Sequence, residues 1–369
     1  VTWLRTCPCA LAWAAAFCLA PTRAADSVAE AGPDLLAAVR AFASSAGLDA
    51  STPALVARVS RDGAPLLDHA IGLADLAAKR PADAETPFRI ASVTKPFTAV
   101  AILQLVERGL LRLDDPVDAR LPGFPWSGVT VRHLLNHTGG LPDYLGKHGW
   151  SRRPDNAEVL RVAGATPLEF LPGTEARYGN TGYVALALLL ETVSGQSYEA
   201  WLGSQVFAPG GMTRATVPRW DWRTVPDRAV GYQRILGLYV SDDQDRFHGV
   251  VGDGGIFAGA AELDRWLDAL HGGRLLPEAA LEAAFRPAPP HPGAMSYGFG
   301  WAVTPVGDDL LVWHNGRWLG FDAFAGRLTG ARTNIILLSN AGLRYRSLDL
   351  ADRLGFPLAD RLLAARDAS

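Results

Sequence analysis

Phe88-Arg89-Ile90-Ala91-Ser92-Val93-Thr94-Lys95-Pro96-Phe97-Thr98 runs straight into Ala99-Val100-Ala101-Ile102-Leu103-Gln104-Leu105-Val106-Glu107-Arg108-Gly109. Apolar residues recur in the second half at three- and four-residue steps, and Gly109 is a suitable stop, so the spacing predicts a helix. Ser92 then sits at the mouth of that helix with Lys95 three residues on, both on one face of its first turn. Pro96 has no N–H to give to the Ser92 carbonyl, so the turn around Ser92 is expected to be irregular.

A serine hydroxyl attacks a carbonyl only when a neighbour takes its proton. A lysine amine one turn away can do so, and a helix start adds unpaired N–H groups for a developing oxyanion. The same spacing also occurs at ordinary helix starts that carry a surface lysine. Composition bears on the choice, because the chain holds only Lys79, Lys95 and Lys147 against many arginines. A lysine where arginine is the habit points to a group that must be able to lose its proton.

Toward the N-terminus, residues 55–60 and 66–72 flank Arg61-Asp62-Gly63, and Asp-Gly between two strand-like runs predicts a hairpin. Residues 33–46 have helical periodicity. Ahead of them, Arg5, the apolar run 10–20 and Thr22-Arg23-Ala24 have the order of a secretory signal, with cleavage expected after Ala24. Cys7, Cys9 and Cys18 all fall inside that segment, which would leave the exported chain no thiol for a disulfide, metal site or nucleophile. Bulky Phe17 argues against lipidation at Cys18. No other run is long and apolar enough to span a bilayer; residues 184–190 are of core-helix size.

The 369 residues are 49% hydrophobic and 20% charged, with net charge −3: enough for about two domains, without a basic surplus for nucleic acid or anionic membranes. Residues 96–212 read as helical segments broken by loops such as Leu121-Pro122-Gly123-Phe124-Pro125. Strand-like runs return at 297–303, 309–313, 321–328 and 333–338, before a closing helix at 348–365. Strands at both ends with helices between them predict an α/β fold of the α+β type. Its antiparallel sheet is built from N- and C-terminal segments, flanked by helices, and carries an inserted, mostly helical domain. The expected division is a leader at 1–24, a discontinuous sheet domain at 25–95 and 240–369, and a helical domain at 96–239.

Two further motifs carry chemistry. Tyr178-Gly179-Asn180 follows the turn-rich Leu171-Pro172-Gly173-Thr174. A tyrosine beside a lysine can share a proton relay, and an asparagine amide can both donate and accept. Read alone, the pair is better taken as a loop tyrosine and a cap for the helix that follows. His314-Asn315-Gly316 closes the strand run at 309–313; Gly316 would let a substrate backbone approach, and the next N–H could serve an oxyanion. A plain strand-end turn is the alternative.

Taken in this order, Ser-x-x-Lys, Tyr-x-Asn and His-x-Gly make the sequence resemble the serine β-lactamase and penicillin-binding-protein superfamily. The branch it is most similar to holds class C β-lactamase-related esterases, D-aminopeptidases and DD-carboxypeptidases. Leu134-Leu135-Asn136-His137-Thr138-Gly139-Gly140-Leu141-Pro142, Thr181-Gly182-Tyr183, Gly254-Gly255-Ile256-Phe257-Ala258, Asp264-Arg265-Trp266-Leu267 and Tyr297-Gly298-Phe299-Gly300-Trp301 carry the likeness further, over roughly residues 33–340. The resemblance implies a β-lactamase/transpeptidase-like fold and an acyl-enzyme mechanism without metal or cofactor. Ser92 would attack the carbonyl, and Lys95 and Tyr178 would handle its proton and that of the deacylating water. The N–H groups of Ser92 and Arg317 would form the oxyanion hole, and Asn180 would hold the substrate. Which of Lys95 and Tyr178 is the base stays open.

The sequence departs from the lactamase pattern at His314, where β-lactamases and transpeptidases carry a lysine. A histidine is mostly neutral above about pH 6.5, which weakens anchoring of a substrate carboxylate and favours esters, amides or small acyl compounds. Trp313, Trp318 and Tyr144 either line an apolar acyl pocket or belong to the core. His133 and His137 have zinc-helix spacing without the adjacent glutamate and read as structural. Gly-x-Ser-x-Gly is absent, and Ser241-Asp242-Asp243-Gln244-Asp245 reads as a solvated loop. The expectation is an exported serine hydrolase, periplasmic or secreted, acting on small ester, amide or peptide substrates. A D-amino-acid peptidase, DD-carboxypeptidase or β-lactamase is the alternative within enzymes. A non-catalytic binding protein that kept the fold is the rival of another class. Oligomeric state is not legible.

Overall fold

A computed structural model describes residues 23–288, 296–342 and 348–367. The expected leader lies outside the described residues, apart from Arg23 and Ala24, which open the helix Arg23–Ala46.

Seven strands form one antiparallel sheet in the order Ala64–Ile71, Leu55–Arg61, Thr333–Ser339, Phe321–Leu328, Asp309–Trp318, Ala302–Val306, Ser296–Tyr297. The N-terminal hairpin thus adds to a C-terminal meander through Leu55–Arg61 against Thr333–Ser339. Its turn places Asp62 and Gly63 at φ 52° and 77°, two left-handed residues whose twist suits a two-residue hairpin loop.

The sheet is covered on both faces, which is why its central strands read as unbroken apolar runs. Ile335 and Leu337 join Leu55, Ala57 and Val59 in a core closed by Leu35, Val39, Leu358 and Leu362 of the helices Arg23–Ala46 and Phe356–Asp367. Ile336 and Leu338 face the opposite way, into the larger core of the inserted helices. On that side Phe97, in the helix Thr94–Glu107, stacks on Trp266 at 3.8 Å, and Trp266 stacks on Trp301 at 5.7 Å. Truncating Phe97 to alanine is a cost of about 3–5 kcal/mol and would loosen the helix that carries Lys95.

Two strand expectations change. The run at 297–303 is divided into Ser296–Tyr297 and Ala302–Val306 around Gly298 and Gly300. The strand starting at Asp309 continues to Trp318, paired from Leu311 onward with Phe321–Leu328, so His314-Asn315-Gly316 lies inside a strand and is no strand-end turn. Among the described residues no helix is long and apolar enough to cross a membrane.

Candidate active site

Ser92 stands in a short 3₁₀ turn, Ala91–Val93, immediately before the helix Thr94–Glu107. Pro96 falls in that helix's first turn, where an N–H has no intrahelical partner to lose. Ala91 is held at φ 48°, a left-handed conformation that costs a residue with a Cβ about 1–2 kcal/mol. The Ile90 N–H donates to the Ile256 carbonyl at 3.0 Å and fixes the chain before the strained turn.

Lys95 is wholly buried. Its Nζ lies 3.0 Å from Ser92 Oγ, 2.9 Å from Asn180 Oδ1 and 3.1 Å from the Asp253 carbonyl oxygen. The last two partners only accept, so a neutral amine donating to both would have its lone pair left for the Ser92 hydroxyl. Asn180 precedes the helix Thr181–Ser194 without capping it through its side chain. Its Oδ1 is committed to Lys95, while its Nδ2 and backbone N–H both donate to Asp143 Oδ2, at 2.9 and 3.0 Å. Asp143 therefore fixes which way the amide points.

Tyr178 is held differently. It is 41% exposed, and its ring lies 4.8 Å from Lys95 Nζ. The imidazole of His137 packs against it at 4.5 Å, and Tyr297 lies 6.1 Å away. Among the described residues its hydroxyl makes no hydrogen bond to Ser92 or Lys95. His133 has a separate duty, accepting the Thr130 N–H through Nδ1 in a capping box.

His314 is buried behind Tyr178, with ring centroids 6.0 Å apart. Its Nδ1 lies 2.5 Å from the Asn315 carbonyl, which can only accept, so Nδ1 carries the proton. Its Nε2 then accepts from the Tyr297 hydroxyl at 3.0 Å. Burial, aided by the nearby Lys95 charge and opposed by the Asn315 hydrogen bond, lowers its pKa to about 3. Gly316 is dictated by packing: a Cβ there would lie 2.1 Å from the Ile90 oxygen and 3.0 Å from the Ser92 nitrogen. Only glycine lets this strand approach the Ser92 turn so closely, and the Arg317 amide follows it directly. The Arg317 side chain pairs with Asp349 at 3.1 Å.

A cleft of about 310 Å³ opens above these groups. Ser92, Tyr178, Asn180, Asn315 and Arg317 line it, together with Tyr144, Phe247, Trp318 and Arg89. Of the three candidate pocket aromatics, Tyr144 and Trp318 reach the cleft and Trp313 does not. Strand alternation turns Trp313 to the other sheet face, where it stacks on Phe324 at 5.7 Å and meets Phe356 edge-on at 5.0 Å. The Tyr144 hydroxyl donates to Asp253 Oδ2 at 3.0 Å, and burial raises the Asp253 pKa against the opposing influence of Lys95.

Sequence reading missed Asp143, Asp253 and the aspartates after Ser241. Asp143 and Asp253 sit one residue beyond the quoted motifs Leu141-Pro142 and Gly254-Gly255, so those flanks were the available signal. The run at 241–245 is only in part a solvated loop: Ser241 and Gln244 are exposed, but two of its aspartates turn inward. Asp243 is buried in a bidentate pair with Arg228 at 2.9 and 2.7 Å, and Asp245 accepts from the Trp318 indole. Alternation carries no information in such irregular loops.

Comparison with known proteins fits this geometry. The family model Beta-lactamase matches residues 32–358. The chain is 36% identical over 297 residues to penicillin-binding protein 4* of Bacillus subtilis, covering 74% of this chain and 65% of that protein, just under two thirds of its length. It is 32% identical to esterase EstB of Burkholderia gladioli, covering 77% of this chain and 85% of the esterase. Its fold matches the D-amino acid amidase of Ochrobactrum anthropi SV3 complexed with D-phenylalanine, with a TM-score of 0.75 and 25% identity over 91% of this chain and 99% of that one. The chain belongs to the beta-lactamase family of serine hydrolases.

Proposed function

We propose that this protein is an exported serine hydrolase that cleaves ester or amide bonds through an acyl-enzyme on Ser92. The observation that carries the reading is the 3.0 Å contact between Ser92 Oγ and Lys95 Nζ, with Lys95 tied to two carbonyl oxygens. Ser92 Oγ forms a bond to the substrate carbonyl carbon while its proton passes to the Lys95–Tyr178 pair. The oxyanion sits between the N–H groups of Ser92 and Arg317, supported by the close approach at Gly316. Collapse breaks the bond to the alcohol or amine, which leaves with the proton. Water then adds to the acyl-enzyme, giving its proton back through the same pair, and the acid is released. Asn180 orients the substrate. Residues 1–24 act as the export signal, and the sheet domain (25–95 and 240–369) and helical domain (96–239) meet at the cleft.

A second reading, hydrolysis of D-amino-acid amides or peptides, draws on the likeness to the Ochrobactrum amidase and on the aromatic wall of the cleft. There Tyr144 and Phe247 meet edge-to-face at 5.3 Å, a surface suited to an apolar side chain. Intact-mass spectrometry with a fluorophosphonate and a penicillin in parallel, followed by peptide mapping and a hydrolysis assay, tests both. A fluorophosphonate adduct on Ser92 that vanishes in Ser92→Ala, with the fold retained, is expected. Penicillin turnover would move the assignment to lactam chemistry. A folded protein with no adduct and no turnover would make it a binding protein.

A further inference from the structure

We propose that Arg89 anchors a carboxylate of the substrate, so that the bond cut at Ser92 belongs to an ester or amide carrying a free acid group. The inference rests on the Ser92 reading and names the substrate class for it. Arg89 lies three residues before Ser92, in the short strand Phe88–Arg89, and lines the same cleft. It is only 8% exposed. A guanidinium carries five N–H donors, yet among the described residues none of them makes a hydrogen bond, and Nε is buried without a partner.

Its surroundings leave that charge poorly answered. The facing carboxylate oxygen, Asp245 Oδ2, is 3.8 Å away, beyond hydrogen-bond reach. Asp245 is already engaged by other donors: Oδ2 accepts from the Trp318 indole and Oδ1 from the Phe247 N–H. Asp243 is consumed by Arg228. His248 adds no charge, since burial holds its pKa down to about 4. The Trp318 ring lies 5.9 Å from the guanidinium and forms one side of its site. A buried cation with unmet donors beside a cleft is costly unless something enters to meet them, and the two oxygens of a carboxylate match its fork. The neutral His314 cannot serve that purpose. Within this cleft the cation comes instead from Arg89.

The test uses matched ester pairs that differ only in a free acid against its methyl ester. One pair carries the acid on the leaving group (an acyl-glycyl-lactate), the other on the acyl group (a p-nitrophenyl succinate). The wild-type protein should prefer the free acid in one pair by about ten- to hundredfold in kcat/KM, the range for a charged hydrogen bond, with the difference mainly in KM. The pair showing it identifies which side of the scissile bond faces Arg89. Arg89→Gln should abolish the preference, and Arg89→Lys should keep part of it. No preference in either pair for the wild-type protein overturns the assignment, as does a preference that Arg89→Gln leaves intact. Fluorophosphonate labelling of Ser92 in the same preparations keeps the two readings apart: labelled enzyme without acid preference sinks Arg89 and leaves the hydrolase standing.

Discussion

Lys95 and Tyr178 stand together at the mouth of one cleft, yet they are fixed by opposite means. Lys95 is fully buried and its amine is placed by three oxygens contributed by three separate segments. Tyr178 is 41% exposed and is held by its ring, against His137 and 4.8 Å from Lys95 Nζ. The first arrangement determines position and proton inventory together. The second fixes the ring and leaves the hydroxyl without a hydrogen bond to Ser92 or Lys95. In the free protein, then, Ser92 Oγ touches Lys95 Nζ and makes no hydrogen bond to the Tyr178 hydroxyl.

The sharpest way to break that contrast is to remove each group in turn. Lys95→Met should lower kcat/KM for a simple ester by about 10⁴, the upper end for a positioned acid–base group, while Tyr178→Phe should cost about 10². Equal losses would make the hydroxyl a full member of the resting relay. A Tyr178→Phe loss under about threefold would remove it from the chemistry. A smaller effect is expected one step further out. Asp143→Ala deprives the Asn180 amide and backbone N–H of their acceptor, which frees the amide to turn away from Lys95. Loss of that hydrogen bond should reduce kcat by about tenfold with Ser92 still labelled by fluorophosphonate. Unchanged kcat would show that Lys95 alone sets the geometry.

The same contrast marks how far the sequence could be read. Ser92 and Lys95 were legible because a helix fixes what lies three residues apart, and the hairpin at Asp62-Gly63 because few residues tolerate its dihedrals. That one sheet is built from both termini followed from apolar strand runs at the two ends of the chain, whereas its strand order did not. Local periodicity could not say where the strand beyond Asp309 ends, since polar His314 and Asn315 look like a turn until Phe321–Leu328 is seen to pair with them. Nor could it sort Trp313 from Trp318, whose destinations depend on which sheet face looks into the cleft. Asp143, Asp253 and Asp245 act across long sequence separations from irregular loops, and no spacing rule finds such partners. Arg89 was in view from the start, but what distinguishes it is the lack of hydrogen-bond partners, which only packing reveals.

His314 supplies the subtlest comparison with Lys95, for both are buried beside Tyr178 and the imidazole is held neutral at neutral pH. With its pKa lowered to about 3 from an ordinary 6.5, His314 binds its proton in the unfolded chain before the folded one. Its contribution to stability is therefore present above about pH 6.5 and is lost as pH falls toward 3. Between pH 6.5 and 5 a shift of this size is worth about 2 kcal/mol. His248 and His271, lowered to about 4 and 3, slope the same way, so the total alone does not isolate His314. The difference between wild type and His314→Gln does. Denaturant unfolding at pH 7 and pH 5 should show the wild-type protein losing about 2 kcal/mol more than the variant over that interval. Parallel losses would mean that His314 takes up a proton in the folded state. A positive charge would then stand where this site is otherwise neutral, and the cleft would have a second cation to offer an acidic substrate.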